Sequence, residues 1–170
     1  MSFTLYIVRH AIAEEHAASG RDEDRRLTAE GTMKMRRAAL GLKALGVAPG
    51  AIWSSPLVRA RQTAEILGAV LAEGARVALR DQLAPGQPSA AVLEAVRGMR
   101  GTRSVMVVGH EPDLGRLASY VLTGSASRAH LPFKKGGAAA FELGDRAEGE
   151  RAELLWFLMP RQLRVLGRES

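Results

Sequence analysis

The chain is 170 residues long, carries a formal net charge of +6 at pH 7 and contains no cysteine. Its length and ordinary globular composition predict a single domain over residues 1–170. The absence of cysteine excludes disulfides, thiolate metal sites and a cysteine nucleophile. The positive charge favours an anionic partner. However, an aromatic content of 5% and the acidic residues mixed among the arginines argue against nucleic acid.

The sequence predicts neither export nor a membrane anchor. No basic residue precedes the short apolar run at residues 3–8, so the layout of a signal peptide is missing. No apolar stretch approaches the roughly 20 residues that are needed to cross a bilayer. We therefore expect a cytoplasmic protein without a membrane partner, and we expect it to be a monomer.

The first predicted elements are a strand, a long loop and a helix. Residues 3–8 are apolar and rich in β-forming residues, which predicts a buried strand, whereas residues 11–26 lack periodicity and predict a loop. Thr28 is suited to cap a helix that runs to about Leu45, and Gly46 is suited to end it. The apolar stripe of this helix is expected to consist of Met35, Ala38, Leu42 and Leu45.

A second strand and helix follow the first pair. Residues 51–53 predict a short strand, and Ser55 followed by Pro56 predicts a helix start in which Ser55 is the N-cap. Residues 77–79 predict a short edge strand, and residues 90–99 predict a third helix. The buried face of the second helix is expected to comprise Leu57, Ala60, Ala64, Leu67 and Leu71.

The remaining elements continue the alternation of strands and helices. Residues 104–108 form a continuous apolar run that predicts a buried strand, and residues 113–122 predict a helix. Two final strands are predicted at residues 138–143 and 154–159. This alternation indicates an α/β fold, a three-layer α/β/α sandwich around a central, mostly parallel sheet.

Polar residues follow three of the predicted strands. These segments are Arg9–His10, Ser54–Ser55 with the helix after it, and Gly109–His110. In such folds ligands bind beyond the carboxyl ends of the strands, so we expect the three segments to converge on one site. An isolated Arg-His pair would more often be a surface arginine beside a structural histidine. The other two segments are the reason to expect a site.

The residue types in this set suit phosphoryl transfer. A histidine attacks phosphorus as the neutral imidazole, and nearby arginines lower its pKa toward that form. Arg9 and Arg59 can each bind phosphoryl oxygens through two N–H groups. His110, if protonated, would add another donor. Positioning and charge neutralisation are the main requirements of this chemistry.

Four motifs resemble a known family. They are LYIVRHA at 5–11, RRLTAEG at 25–31, SSPLVRARQTA at 54–64 and VVGHEPDL at 107–114. In this order they are similar to the histidine phosphatase superfamily, which has a phosphoglycerate mutase-like fold. The short chain and the VGHEP form resemble its SixA-like branch, the bacterial phosphohistidine phosphatases.

The resemblance implies roles for individual residues. It implies that His10 is the nucleophile and that Arg9, Arg59 and His110 are catalytic and complete the phosphate pocket. It also implies that Arg25 reaches this pocket, although a solvated loop charge is an equally good interpretation of Arg25.

The general acid of the larger relatives has no clear counterpart. Gln82 stands where such an acid is expected, while Asp81 and Glu111 are weaker candidates for an acid or for the rim of the pocket. An alkoxide needs an acid to leave, whereas imidazole, with a pKa of about 6.5, leaves readily once protonated. This difference favours phosphohistidine over phosphate esters as the substrate.

The sequence thus predicts a phosphatase without metal or other cofactor, acting on a phosphohistidine-bearing signalling or phosphotransfer protein. Two alternatives stay open: a phosphatase of small phosphorylated metabolites, and a phosphate-binding module without catalysis. A phosphomutase is disfavoured because it would need the acid and an enclosed site. Lys134 and Lys135 either border the pocket or are solvated, and the sequence does not decide between these.

Overall fold

Six strands form one mixed sheet at the centre of the fold. A computed structural model describes residues 2–144 and 152–168. The strands are β1 (Phe3–Arg9), β2 (Ile52–Ser54), β3 (Val77–Leu79), β4 (Ser104–Gly109), β5 (Ala138–Leu143) and β6 (Ala152–Leu158). Their order across the sheet is β3-β2-β4-β1-β5-β6. The first four of these are mutually parallel, and β5 and β6 join antiparallel, which confirms the mostly parallel sheet.

Helices cover both faces of the sheet. They are α1 (Ala29–Ala44), α2 (Val58–Leu71), α3 (Ser89–Arg97), α4 (Asp113–Thr123) and α5 (Pro160–Leu166). Residues of α3 and α4 pack on one face, and residues of α1, α2 and α5 pack on the other. The predicted three-layer α/β/α sandwich is therefore confirmed. No helix of the described residues is long and apolar enough to span a membrane.

The side chains of strand β4 alternate between two hydrophobic cores, one on each face of the sheet. Its residues Val105 and Val107 join the core under α3 and α4, while Met106 and Val108 join the core under the other helices. All four side chains are fully buried. Successive side chains of a strand point to opposite faces, so a strand buried on both sides has the continuous apolar run that the sequence shows.

Helix α1 begins as predicted and ends one residue earlier. The Thr28 hydroxyl oxygen accepts a hydrogen bond from the Gly31 N–H at 2.9 Å, which caps the helix. Leu45, predicted to continue the buried stripe, is instead 42% exposed. It lies just beyond the last helical residue, where the chain turns at Gly46 with a φ of 77°.

The start of one helix differs from the prediction, and one further helix was not predicted. Helix α2 begins at Val58 with Leu57 as its N-cap, so Ser55 and Pro56 lie before the helix, and Ser55 is not a cap. Its hydroxyl bonds a histidine in the site instead. Helix α5 has no counterpart in the prediction, whose last element is the strand at residues 154–159. Proline is also well placed at the first position of a helix, where no N–H is needed, and Pro160 occupies that position.

A close approach of α1 and α5 allows a prediction of stability. A Cβ atom on Gly41 would overlap the backbone carbonyl oxygen of Leu163, whereas a Cβ on Gly68 in α2 would be in ordinary contact with Ile52 Cδ1 at 3.6 Å and the Ala75 carbonyl oxygen at 3.8 Å. We expect Gly41→Ala to lower the free energy of unfolding by about 1–3 kcal/mol. Gly68→Ala should raise it by about 0.5–1 kcal/mol. Urea denaturation followed by circular dichroism measures both, and a Gly41→Ala protein as stable as Gly68→Ala would contradict the packing described.

Candidate active site

The carboxyl ends of β1 and β4 bring two histidines together. The strands are parallel neighbours in which Arg9 pairs with Gly109, so the residue after each strand lies at the same edge of the sheet. The rings of His10 and His110 are 5.2 Å apart between centroids. The neighbouring strand β2 ends beside them, where the Ser55 N–H donates to the carbonyl of Val108. The predicted convergence of the three strand ends is therefore confirmed.

The buried ring of His10 has a defined tautomer. Its Nδ1 lies 2.7 Å from the carbonyl oxygen of Ala11. A carbonyl oxygen only accepts, so Nδ1 carries the proton and Nε2 keeps its lone pair. Burial is the main cause that lowers the pKa of His10 to about 4; the Ala11 hydrogen bond opposes this lowering, and the positive charges of Arg59, Arg9 and Lys135 add to it. His10 is therefore neutral at pH 7 and has a nucleophilic Nε2.

Hydrogen bonds from two other elements hold the backbone around His10. The Ala11 N–H donates to the Thr63 hydroxyl at 3.0 Å, and that hydroxyl donates to the Arg59 carbonyl at 2.7 Å. The Gly136 N–H donates to the His10 carbonyl at 3.2 Å. The sequence analysis did not identify Thr63. Its position four residues after Arg59, on the same face of the helix, was the available signal.

Arg9 is anchored at one end of its guanidinium. One terminal nitrogen donates to the Phe133 carbonyl at 2.8 Å, and Nε is buried without a hydrogen-bond partner among the described residues. Glu111 lies close enough for its charge to act on Arg9, and its carboxylate accepts from the backbone of Gly115 and Phe133. The backbone of Phe133 thus holds both side chains in place.

Asp22 links Arg59 and Arg25. Buried Arg59 donates to the Asp22 carbonyl at 2.9 Å and to its carboxylate at 3.0 Å, while Arg25 Nε donates to the same carboxylate at 2.9 Å. Burial tends to raise the pKa of Asp22, but the hydrogen bonds and charges of the two arginines hold it below its usual value. The structure therefore brings Arg25 beside Arg59. No sequence pattern indicates Asp22, which lies on a short 3-10 turn (Asp22–Asp24).

His110 is buried and held by a serine. Its Nε2 lies 2.7 Å from the Ser55 hydroxyl, and its Nδ1 is buried without a partner among the described residues. Burial is the main cause that lowers the pKa of His110 to about 3, and the neighbouring His10 and the charge of Arg59 also disfavour a proton on it. The site as it stands thus holds a neutral His110 at pH 7, rather than the protonated form considered from the sequence.

The three acid candidates lie at different places around the site. Glu111 is half-buried, and its pKa is raised by burial. Asp81 and Gln82 are exposed on a short 3-10 turn (Asp81–Leu83) near the end of β4. The structure shows no hydrogen bond from any of the three to His10 or His110. Among residues 2–144 and 152–168, no group of three histidine, aspartate or glutamate side chains could hold a metal ion.

The two lysines differ in their relation to the site. Both are exposed, on a turn whose Gly136 N–H donates to the carbonyls of Arg9 and His10. The charge of Lys135 lowers the pKa of His10, which places Lys135 at the border of the site. The backbone of Lys134 closes the turn, because its carbonyl accepts a hydrogen bond from the Gly137 N–H at 2.8 Å.

Comparisons with known proteins identify the family. A model of the histidine phosphatase superfamily (branch 1) matches residues 5–84. An uncharacterized protein from Picosynechococcus sp. is 37% identical over 142 residues, which cover 82% of this chain and 85% of the relative. The protein histidine phosphatase SixA complexed with tungstate superposes with a TM-score of 0.84 at 26% identity, covering 95% of this chain and 99% of that one. A candidate phosphohistidine phosphatase SixA from Agrobacterium tumefaciens superposes with a TM-score of 0.76 at 25% identity, covering 93% and 98%.

The chain therefore belongs to the histidine phosphatase superfamily, in its SixA-like branch. The resemblance drawn from the four motifs and the expected phosphoglycerate mutase-like fold are both confirmed. These relationships support phosphatase activity.

The depressed pKa of His10 predicts acid sensitivity of the fold. Between the ordinary value of 6.5 and about 4, the unfolded chain binds a proton on His10 that the folded chain does not. The contribution of the neutral His10 to the free energy of unfolding is therefore fully present above pH 6.5. It falls by on the order of 3 kcal/mol as the pH falls toward 4. Urea denaturation at a series of pH values should show this loss. The His10→Gln protein should lose less stability than the wild type over this pH range. The same pH dependence in both proteins would contradict the burial of a neutral His10.

Proposed function

We propose that this phosphatase dephosphorylates phosphohistidine on a signalling or phosphotransfer protein, with His10 as its nucleophile. The observation that carries the proposal is a neutral, buried His10 beside buried polar nitrogens that have no hydrogen-bond partner among the described residues. These are Arg9 Nε, Arg59 Nε and His110 Nδ1, all buried. The charges of both arginines act on His10, and the His110 ring lies beside it. Buried donors normally have partners, so such a cluster suits a bound oxyanion.

The first chemical step uses the lone pair on His10 Nε2. It attacks the phosphorus of the substrate, and the bond from phosphorus to the substrate imidazole breaks with its electron pair on the departing nitrogen. A proton on the other nitrogen of that imidazole makes the leaving group neutral. Arg9, Arg59 and His110 donate to the phosphoryl oxygens, where the transition state spreads its charge.

The second step returns the enzyme to its starting state. Water attacks the phosphorus, the bond to Nε2 breaks, and the electron pair returns to Nε2 as orthophosphate leaves. The proton on His10 Nδ1 stays throughout, held by the Ala11 carbonyl at 2.7 Å. The phosphorylated ring is therefore cationic, which makes it a good leaving group for water.

The carboxylate of Asp22 supports the choice of substrate. Asp22 is a carboxylate whose charge reaches His110, and the two arginines hold its pKa low. An acid that is ionised at neutral pH protonates a leaving group poorly. Phosphohistidine needs no such acid, since its imidazole leaves readily once protonated, whereas an alkyl phosphate does.

The structural neighbours give independent support. The SixA structure named as a protein histidine phosphatase covers nearly the whole of this chain. It was solved with tungstate, a tetrahedral oxyanion of the same shape as phosphate. We propose the same class of substrate for this chain.

The experiment compares substrates under one assay with EDTA present. We expect phosphate release from a phosphohistidine protein, little release from phosphoserine or alkyl phosphates, and no loss of activity caused by EDTA. Faster turnover of alkyl phosphates would favour a phosphatase of small metabolites. A strict requirement for added Mg²⁺ would contradict the mechanism. Phosphate binding without turnover of any substrate would indicate a binding module instead.

A further inference from the structure

A fully buried serine hydroxyl in the site has one side-chain partner and one backbone partner. Ser55 Oγ is 2.7 Å from His110 Nε2 and 3.2 Å from the backbone nitrogen of Leu57. On the other side of the imidazole, Nδ1 of His110 is buried and has no partner among the described residues. The hydrogen bonding of this serine therefore determines which nitrogen of His110 carries the proton.

Two arrangements of protons are conceivable for a neutral His110. The Leu57 N–H only donates, so Ser55 Oγ accepts that bond in both. If Nε2 carried the proton, Oγ would accept twice, and the serine hydroxyl proton would need another acceptor, which the described residues do not provide. If the serine hydroxyl donates to Nε2, every group of Ser55 is satisfied and Nδ1 carries the proton. Buried polar groups are almost always paired, which favours the second arrangement.

We propose that Ser55 is a positioning residue that donates its hydroxyl proton to Nε2 of His110 and thereby fixes the Nδ1–H tautomer. His110 then offers Nδ1–H as a neutral hydrogen-bond donor to the phosphoryl group on His10. The inference rests on the proposed function for its catalytic meaning, but the tautomer itself does not depend on any substrate. It also assigns Ser55 a task other than the helix cap predicted from the sequence.

A neutral donor suits this position. Arg9 and Arg59 already place two positive charges beside His10, and a charged His110 in the same buried space would be repelled by both. A fixed Nδ1–H supplies a hydrogen bond without that repulsion. The serine thus acts through His110 and does not itself touch the phosphoryl group.

The direct test is ¹⁵N NMR of histidine-labelled wild-type protein at pH 7, with the His110 signals assigned from a His110→Gln protein. We expect Nδ1 of His110 to appear as a protonated, pyrrole-type nitrogen and Nε2 as a pyridine-type nitrogen. A protonated Nε2 would overturn the proposal. This measurement needs no Ser55 variant and no turnover, so it holds even if the substrate proposal fails.

The functional test uses a matched pair of buried serines. Ser54 is also fully buried, but its hydroxyl donates to the carbonyl of Ser55 at 2.8 Å and makes no hydrogen bond with a histidine of the described residues. We expect Ser55→Ala to lower kcat by about 10–100-fold, the scale found for outer partners of functional histidines, and to abolish the fixed His110 tautomer in the NMR spectrum. Ser54→Ala should keep the wild-type kcat and the fixed His110 tautomer. An unchanged tautomer in a folded Ser55→Ala protein, or an equal loss of kcat in both variants, would overturn the assignment. Wild-type inactivity toward phosphohistidine with the expected tautomer would contradict the proposed function alone.

Discussion

Replacing His10 with glutamine should reduce phosphate release from a phosphohistidine protein on the order of 10⁴-fold or more. His10 Nε2 is the only atom of the enzyme to which the proposed mechanism transfers the phosphoryl group. Enzymes that lose their nucleophile lose activity on this scale. Steady-state phosphate release with EDTA present measures the effect. His16→Gln is the matched control, because His16 is an exposed loop residue. We expect that variant to retain wild-type turnover.

The comparison also distinguishes a catalytic loss from a folding defect. His10→Gln should give the same circular dichroism spectrum as the wild type and a cooperative urea transition at pH 7. Equal rates of phosphate release in wild type and His10→Gln would mean that His10 has a structural role, and the proposed mechanism would be wrong.

Replacing Arg59 with lysine should lower kcat/KM by about 10²–10³-fold. The planar guanidinium binds Asp22 through two terminal nitrogens and still has its buried Nε–H for the phosphoryl group. A lysine ammonium cannot make this set of directed bonds, although it keeps the charge. The loss should appear in kcat as well as in KM, because the transition state gains most from these donors.

Arg61→Lys is the matched control for the arginine substitution. Arg61 lies two residues further along α2, is exposed, and pairs with Glu65 at 3.6 Å. Exposed pairs of this kind contribute little, so we expect wild-type kinetics. A loss of kcat/KM of the same size in both variants would show that the helix tolerates no lysine there, and that the directed bonds of Arg59 are not the cause.

The sequence was sufficient to predict which residues meet at the sheet edge. Arg9–His10 and Gly109–His110 each follow a strongly apolar run, and apolar runs of that kind form the central strands of parallel sheets. Parallel strands end at a common edge, so two histidines far apart in sequence could be predicted to converge. The short centroid distance between them confirms that step.

The residues that hold the site in place were less predictable. Asp22 reaches Arg59 from a short 3-10 turn 37 positions away, and Thr63 holds the backbone of Ala11 across 52 positions. Such contacts depend on how loops pack against the sheet, and no local periodicity encodes them. At Ser55, in contrast, a local sequence pattern was present but led to a wrong prediction. Its local pattern predicted a helix cap, but a buried histidine from another strand provides the stronger hydrogen-bond partner.

The most direct test of the central claim is to trap the enzyme during turnover. The protein would be denatured in base, where phosphohistidine is preserved, and then analysed by ³¹P NMR and by mass spectrometry of its peptides. We predict one phosphoryl group on His10, attached to Nε2, because the Ala11 carbonyl holds the proton on Nδ1. A phosphoryl group on another residue, or phosphate release from the substrate without any labelled enzyme, would contradict the mechanism.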